Sequence, residues 1–286
     1  MMVDYMKSTQ DIITAALSTL PPPHLSHLTH RISALFHHRR RRLSALLSSP
    51  TIFSLTIRHL QSLSLRHKSL LIARHLLTLL TNFSGDPPPP SAAACMKLRD
   101  LDAVLLLLLL CELHQHDQNL LHAPPSRWRV ILCDYVSNSI LKLSTFGGVC
   151  STSGILMQYI ESITRCYNFV NVMGFNEGKE GTEEVAASTA AVVALPSVEV
   201  NGGECVICKE EMKEGREVCE LPCSHLFHWM CILRWLKKRN TCPCCRHRLP
   251  TDDVRREIER LLEDLVKIGG GGGGGLYEEC LEVTFV

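Results

Sequence analysis

From Cys205 to Cys245 the chain reads CVICKEEMKEGREVCELPCSHLFHWMCILRWLKKRNTCPCC. Eight residues of metal-ligand type stand in this stretch at close spacing: Cys205, Cys208, Cys223, His225, His228, Cys231, Cys242 and Cys245, or C-x2-C-x14-C-x-H-x2-H-x2-C-x10-C-x2-C. Each short-spaced pair places two donors on one tight turn. Four such pairs make two tetrahedral sites. Thiolate with imidazole is a soft tetrahedral donor set that suits zinc. Four protein ligands per ion leave no open position, so both zinc ions are expected to be structural rather than hydrolytic. A fragment of about 45 residues buries little core of its own. The metals must then supply much of its folding energy, roughly 10–16 kcal/mol apparent per site at neutral pH. Cys244 lies inside Cys242-Pro243-Cys244-Cys245, where only Cys242 with Cys245 has the two-residue gap, and Cys219 lies in the loop before Cys223; both are read as bystanders.

Outward from this cluster the chain of 286 residues divides by composition. Fourteen Cys, eight of them in the cluster and interleaved with His, point to metal binding in a reducing compartment and not to a disulfide framework. Apolar residues at 45% exclude wholesale disorder. The expected fold class is α+β and multidomain: a mostly α-helical N-terminal region plus a small zinc-braced domain of ββα type. The expected boundaries are a basic Leu/Ser/Arg-rich helical segment at 1–86, a proline-rich linker at 87–96, a helical region at 97–175 and a linker at 176–203. The zinc domain at 204–250 follows, then a C-terminal helix at 251–268 and a glycine-rich tether with tail at 269–286.

Within the helical region, Ile155, Tyr159, Ile163, Cys166, Tyr167 and Val170 recur at helical spacing. A second stripe is read at Val130, Ile131, Asp134, Tyr135 and Val136. Thr251 or Asp252 is the expected cap of the last helix, whose apolar positions are Val254, Ile258, Leu261, Leu262, Leu265 and Val266. The uninterrupted apolar run Ala103–Cys111 has nine residues, against about 20 for a membrane span, and is read as a buried helix. No basic cap followed by an apolar core marks a secretory signal.

Net charge is +1, but residues 12–85 carry nine Arg or Lys, eight His and no Asp or Glu. Arg- and Ser-rich, acid-free sequence is also the composition of a transit peptide. It equally suits a helical domain whose basic face meets anionic lipid or an acidic protein. Arg39–Arg42 has no aromatic platform beside it, which argues against a nucleic-acid partner.

The order of three Cys, two His and three Cys resembles the RING-H2 family. The flanking residues add to the likeness: Leu221-Pro222-Cys223-Ser224-His225-Leu226-Phe227-His228, Cys231-Ile232, Trp235-Leu236, Thr241-Cys242-Pro243 and Cys245-Arg246. A PHD finger, with one His in fifth place, fits less well. Ala194-Leu195-Pro196-Ser197-Val198 and Arg248–Asp253 are similar to flanks of plant RING-H2 ligases. Ala16–Pro22 and Arg39–Pro50 are similar to stretches of an amyloplast-associated member.

The resemblance implies an E3 ubiquitin ligase. It implies cross-braced zinc ions, one on Cys205, Cys208, His228 and Cys231 and the other on Cys223, His225, Cys242 and Cys245. It implies that Ile207, Trp235 and Pro243 line a groove for a ubiquitin-conjugating enzyme (E2). It also implies that Arg246 is the linchpin bridging E2 and ubiquitin, with no ubiquitin held covalently on this chain. The substrate would be a protein bound through the N-terminal region. The expected location is the cytosolic side, at a plastid or amyloplast surface, with cytoplasm or nucleus as the alternative. The alternative function is a non-catalytic zinc-binding scaffold or organelle adaptor, which would need no E2 groove.

Overall fold

The computed structural model describes residues 2–83, 96–116, 124–145, 152–172, 184–200, 202–213 and 217–269. The proline run Pro87–Pro90, the Gly147-Gly148 break and the tail beyond Gly269 lie outside them. The chain divides into two compact units.

The first unit is helical. Its elements are α1 (Met2–Thr19), α2 (Pro22–Ser48), α3 (Pro50–Ser62), α4 (Leu65–Leu80) with a 3-10 turn at Thr81–Phe83, α5 (Leu98–His116), α6 (Pro125–Thr145) and α7 (Thr152–Val172). The prolines that break the pattern start helices. Pro22 and Pro50 occupy first-turn positions of α2 and α3, where a missing N–H costs nothing and the fixed φ is already helical. Ser49 and Ser64 cap α3 and α4, their hydroxyls accepting from the N–H groups of Ile52 and His67 at 3.3 Å.

Helices α4 and α7 pack together, and α2 packs on α7. Ile72, Leu76, Leu77 and Leu79 are fully buried, as are Tyr159 and Ile163 of the stripe read from the sequence. The Tyr159 hydroxyl donates to the Leu79 carbonyl, and its ring meets Phe36 edge-on. The stripe read on α6 is corrected. Val130 is 54% exposed, while Leu132 is fully buried. Apolar residues fill both faces of α6 around this point, so periodicity alone could not choose the inward one.

The start of α5 supplies two carboxylates to the basic segment. Arg42 of α2 donates from Nε and Nη2 to the two carboxylate oxygens of Asp102, at 3.1 and 2.6 Å. His59 of α3 lies 3.1 Å from Asp100. Arg39 is treated differently. It is buried, and its Nε has no hydrogen-bond partner. Desolvation pushes the guanidinium down to about 10. His75 of α4, buried near it, is held well below the ordinary imidazole range by desolvation first and by the Arg39 charge second.

The second unit carries α8 (Thr189–Val193), β1 (Ser197–Val198), β2 (Val218–Glu220), β3 (Leu226–His228) and α9 (Trp229–Leu236). The sheet order is β1-β2-β3, antiparallel throughout. Val218 and Cys219 of β2, Phe227 of β3 and Ile232 of α9 are fully buried, in one core with Leu221, Leu236 and Leu249. The ββα core expected from the sequence is therefore extended by a strand from 184–198, a stretch read as linker. Helix α10 (Val254–Gly269) follows. Its cap is Asp253, whose Oδ1 accepts from the N–H of Arg256 at 2.9 Å, not Thr251 or Asp252. Thr251 supports the same start through its hydroxyl, which accepts from the Asp253 N–H at 3.3 Å. Val254, Ile258, Leu261 and Leu265 of α10 are buried, and Val266 is exposed.

Candidate metal centre

The ligand pairs sit on four local devices. The first is the turn Cys205–Cys208, clasped by a bridge between Glu204 and Glu211. Within it the Lys209 N–H donates to the Cys205 carbonyl at 2.7 Å, and the Cys205 N–H donates to the Glu210 carbonyl at 2.9 Å. The second is the hairpin loop between β2 and β3, which carries Cys223 and His225. Ser224 turns the chain there at φ 58°, its N–H donating to the Leu221 carbonyl at 2.8 Å. The third is the junction of β3 and α9: His228 ends the strand, and Cys231 lies in the first turn of the helix. The fourth is the turn Cys242–Cys245, clasped by a bridge between Thr241 and Arg248.

These devices converge in alternation. The ligand atoms of Cys205, Cys208, His228 and Cys231 lie within 4.8 Å of one another, and so do those of Cys223, His225, Cys242 and Cys245. The first device therefore joins the third, and the second joins the fourth. Cys208 Sγ is 3.3 Å from His228 Nδ1, and Cys223 Sγ is 3.4 Å from His225 Nδ1. A tetrahedral zinc with Zn–S near 2.3 Å and Zn–N near 2.0 Å would set such an edge at about 3.5 Å. The donor chemistry, the count of four and the edge lengths all fit one zinc ion in each set. His228 Nε2 is buried without a hydrogen-bond partner, so its ring is oriented by packing, and an ion in the first set would complete its hold.

Neither bystander cysteine is among the atoms gathered in the two sets. Cys219 is fully buried in β2, and burial, then the neighbouring Glu220, pushes its thiol up to about 11. Cys244 is exposed. Its thiol lies beside Cys242, and the second set takes Cys245 in its place.

The other site residues lie around the ligand turns. Ile207 is half-buried between two ligands of the first turn, and Pro243 is half-buried in the fourth. Trp235 is half-buried on α9, with its indole N–H donating to the Thr241 carbonyl at 2.7 Å. Arg246 is exposed at φ 61°. Residues not singled out from the sequence also tie this unit together. Ser188 caps α8, and its N–H donates to the Pro250 carbonyl at 2.8 Å. The Thr251 hydroxyl donates to the Ala186 carbonyl at 2.9 Å. The Trp229 indole donates to Ser197 Oγ at 2.6 Å. A serine two residues ahead of the apolar run Ala190–Leu195 was the available signal for the α8 cap.

The Ring finger domain family model matches residues 203–246. The chain is 56% identical over 271 residues to the E3 ubiquitin-protein ligase SGR9, amyloplastic, of Arabidopsis thaliana, an alignment covering 90% of this chain and 95% of that protein. It is 48% identical over 85 residues to an E3 ubiquitin-protein ligase RNF181 homolog of Drosophila melanogaster, covering 27% and 58%. With E3 ubiquitin-protein ligase RNF181 of Danio rerio it shares 42% over 92 residues, covering 28% and 59%. The likeness to the two animal proteins is thus confined to a fraction of the chain, whereas that to the plant protein runs nearly end to end.

Proposed function

The chain belongs to the RING-type E3 ubiquitin-protein ligases, and from that premise we propose how its residues divide the work. The protein is a ubiquitin transferase that works with an E2 and ubiquitin and holds two structural zinc ions. Cys205, Cys208, His228 and Cys231 hold one ion. Cys223, His225, Cys242 and Cys245 hold the other. When bound, the ions fix the backbone and take no part in the transfer.

Ile207, Trp235 and Pro243 form the apolar surface that receives the E2. Each is half-buried, so part of each side chain is offered to a partner. Arg246 bonds E2 and ubiquitin together. Its guanidinium has five fixed donors, enough for two acceptors at once. Held folded back on the E2, the thioester meets the incoming substrate lysine in a restricted geometry, and the acceleration comes from positioning. The amine attacks the thioester carbonyl, the E2 cysteine leaves as thiolate, and an isopeptide bond forms. No bond to this chain is made or broken.

The helical unit selects the substrate and places the ligase at a plastid surface, with the RING on the cytosolic side where E2 and ubiquitin are. The relative named amyloplastic supports this placement. So does the face of α3 and the first turn of α4, where Ile52, Leu55 and Leu65 are exposed beside Arg58, Arg66 and Lys68 with no acid in either helix. Apolar side chains among arginines suit the interface of an anionic bilayer. No helix among the described residues is long and apolar enough to cross a membrane.

The observation that carries the reading is the alternation of the four ligand pairs into two tetrahedral sets. The test is ubiquitin transfer by the zinc-loaded full chain with activating enzyme, ATP and a panel of E2 enzymes, beside Ile207→Ala. The expected outcome is transfer lost in the variant at unchanged zinc content. No transfer by a two-zinc native chain with any E2 would refute it. Deleting residues 1–175 is expected to stop substrate modification and leave self-modification.

A further inference from the structure

Trp235 is held on an edge and on a face. Its indole N–H donates to the Thr241 carbonyl at 2.7 Å, which pins the edge beside the last ligand turn. The guanidinium of Arg239 lies 4.6 Å from the ring centroid, which pins one face. An arginine over an indole is the most favourable pairing of its kind, since the ring quadrupole is negative on its face.

Arg239 is itself tethered. Its guanidinium pairs with Glu184, a residue 55 positions earlier in the chain. Glu184 has a fixed backbone neighbourhood. Three residues on, the Ala187 N–H donates to the Leu236 carbonyl at 3.0 Å, and the Ser188 N–H donates to the Pro250 carbonyl at 2.8 Å. The stretch 184–198 is thus strapped to the end of α9 and to the segment after the last ligand. It precedes residues 203–246, the extent of the Ring finger match. An ion pair this exposed adds little to stability by itself. What it does is restrict where an otherwise mobile guanidinium spends its time, and that place is the face of Trp235.

We propose that Arg239 is a positioning residue for E2 docking, anchored by Glu184, and that the transfer-competent unit of this chain begins at Glu184 rather than at the first metal ligand. The proposal rests on the reading of Trp235 as an E2 contact. With the stack in place, the indole meets the E2 in one orientation and does not have to be ordered on binding, which lowers the cost of association. Without it, the zinc sites and the core remain and the groove is looser. The effect belongs on E2 affinity and not on the chemical step.

The test uses the zinc-loaded full chain and a ubiquitin-charged E2 discharged onto free lysine, with initial rates measured against E2 concentration. Trp235→Ala is expected to abolish stimulation. Arg239→Ala is expected to raise KM for the charged E2 by about 2- to 5-fold at unchanged kcat, the range of one exposed cation–π contact. Arg239→Lys, which keeps a cation for the ring, is expected to recover most of the loss, and Glu184→Gln to lie between native and Arg239→Ala. In the free protein, Arg239→Ala should shift the indole N–H resonance of Trp235.

The outcomes separate the proposal from its premise. Full activity of Trp235→Ala removes the groove reading and the proposal with it. An inactive Trp235→Ala beside a native Arg239→Ala leaves the groove standing and overturns the proposal alone. A fall in kcat with lowered zinc content at Arg239→Ala would make the residue structural. A native Glu184→Gln beside an impaired Arg239→Ala would make Arg239 an E2 contact in its own right and overturn the anchor.

Discussion

Arg246 and Lys209 occupy equivalent corners of two turns built alike. Each follows the second cysteine of a Cys-x2-Cys pair, each has a left-handed backbone with φ 61° and 63°, and each donates its N–H to the carbonyl of the pair's first cysteine, at 3.0 and 2.7 Å. The likeness extends one step on, since Cys205 and Cys242 donate to the carbonyls of Glu210 and His247 at 2.9 and 2.8 Å. The backbone device is shared, so whatever distinguishes Arg246 functionally resides in its side chain.

Glycine substitutions separate the two contributions. A non-glycine residue in the left-handed region costs about 1 kcal/mol, which glycine relieves. Arg246→Gly is therefore expected to keep both zinc ions and to melt no lower than the native chain. Ubiquitin transfer should nevertheless fall about 10- to 100-fold, the loss of one or two charge-assisted bonds. Lys209→Gly gives the same backbone relief and should leave transfer unchanged. Native rates with Arg246→Gly would remove the linchpin role.

Metal removal is expected to divide the molecule by unit. Each zinc set draws on devices far apart in the chain, so emptying either one loosens both. A chelator, or Cys208→Ser, should strip amide-exchange protection from residues 184–262 while α2, α4 and α7 keep theirs. The contribution at stake is about 10 kcal/mol or more per ion, beyond what a core this small replaces. Uniform loss of protection across both units would contradict the division.

The zinc ligands were legible because metal geometry constrains spacing directly, and a spacing survives any uncertainty about secondary structure. The α7 stripe was legible because its polar positions are clear of its apolar ones. Two things were not. The strap at 184–198 folds by pairing a two-residue strand, Ser197–Val198, with Val218 and Cys219, and two residues carry no periodicity. Within Arg39–Arg42 four identical residues meet different fates: Arg39 buried, Arg40 and Arg41 exposed, Arg42 paired with Asp102. Composition cannot rank identical neighbours. Only the helical register against α5 and α7 does.

Asp102 should be the costliest single carboxylate to remove from the helical unit. Its side chain is 8% exposed and receives two bonds from Arg42. Asp102→Ala is expected to lower the unit's stability by about 2–3 kcal/mol, the value of hydrogen bonds to a charged group lost with their partner left behind. Asp134→Ala, on a carboxylate exposed on α6, should cost under about 0.5 kcal/mol. Denaturant melts monitored on the helical signal distinguish the two, and equal costs would show that the Arg42 pair contributes little.

His75 gives the helical unit a pH dependence of definite sign. Its imidazole is held well below the ordinary range by burial first and by the nearby Arg39 charge second. In the unfolded chain it titrates near pH 6.5. Below that value the unfolded state binds a proton that the folded state refuses, so stability is lost as pH falls and is fully restored above it. The slope for one such group is about 1.4 kcal/mol per pH unit. The window opens near pH 6.5 and continues downward until the folded-state imidazole itself takes the proton. His75→Phe, close in shape and without a titrating group, should flatten the curve between pH 6.5 and 5 by about that slope, whatever its effect at neutral pH. Stability against pH should be measured for both chains by denaturant melts, following helical unfolding. Parallel curves would mean that His75 accepts a proton in the folded state and that Arg39 does not oppose it.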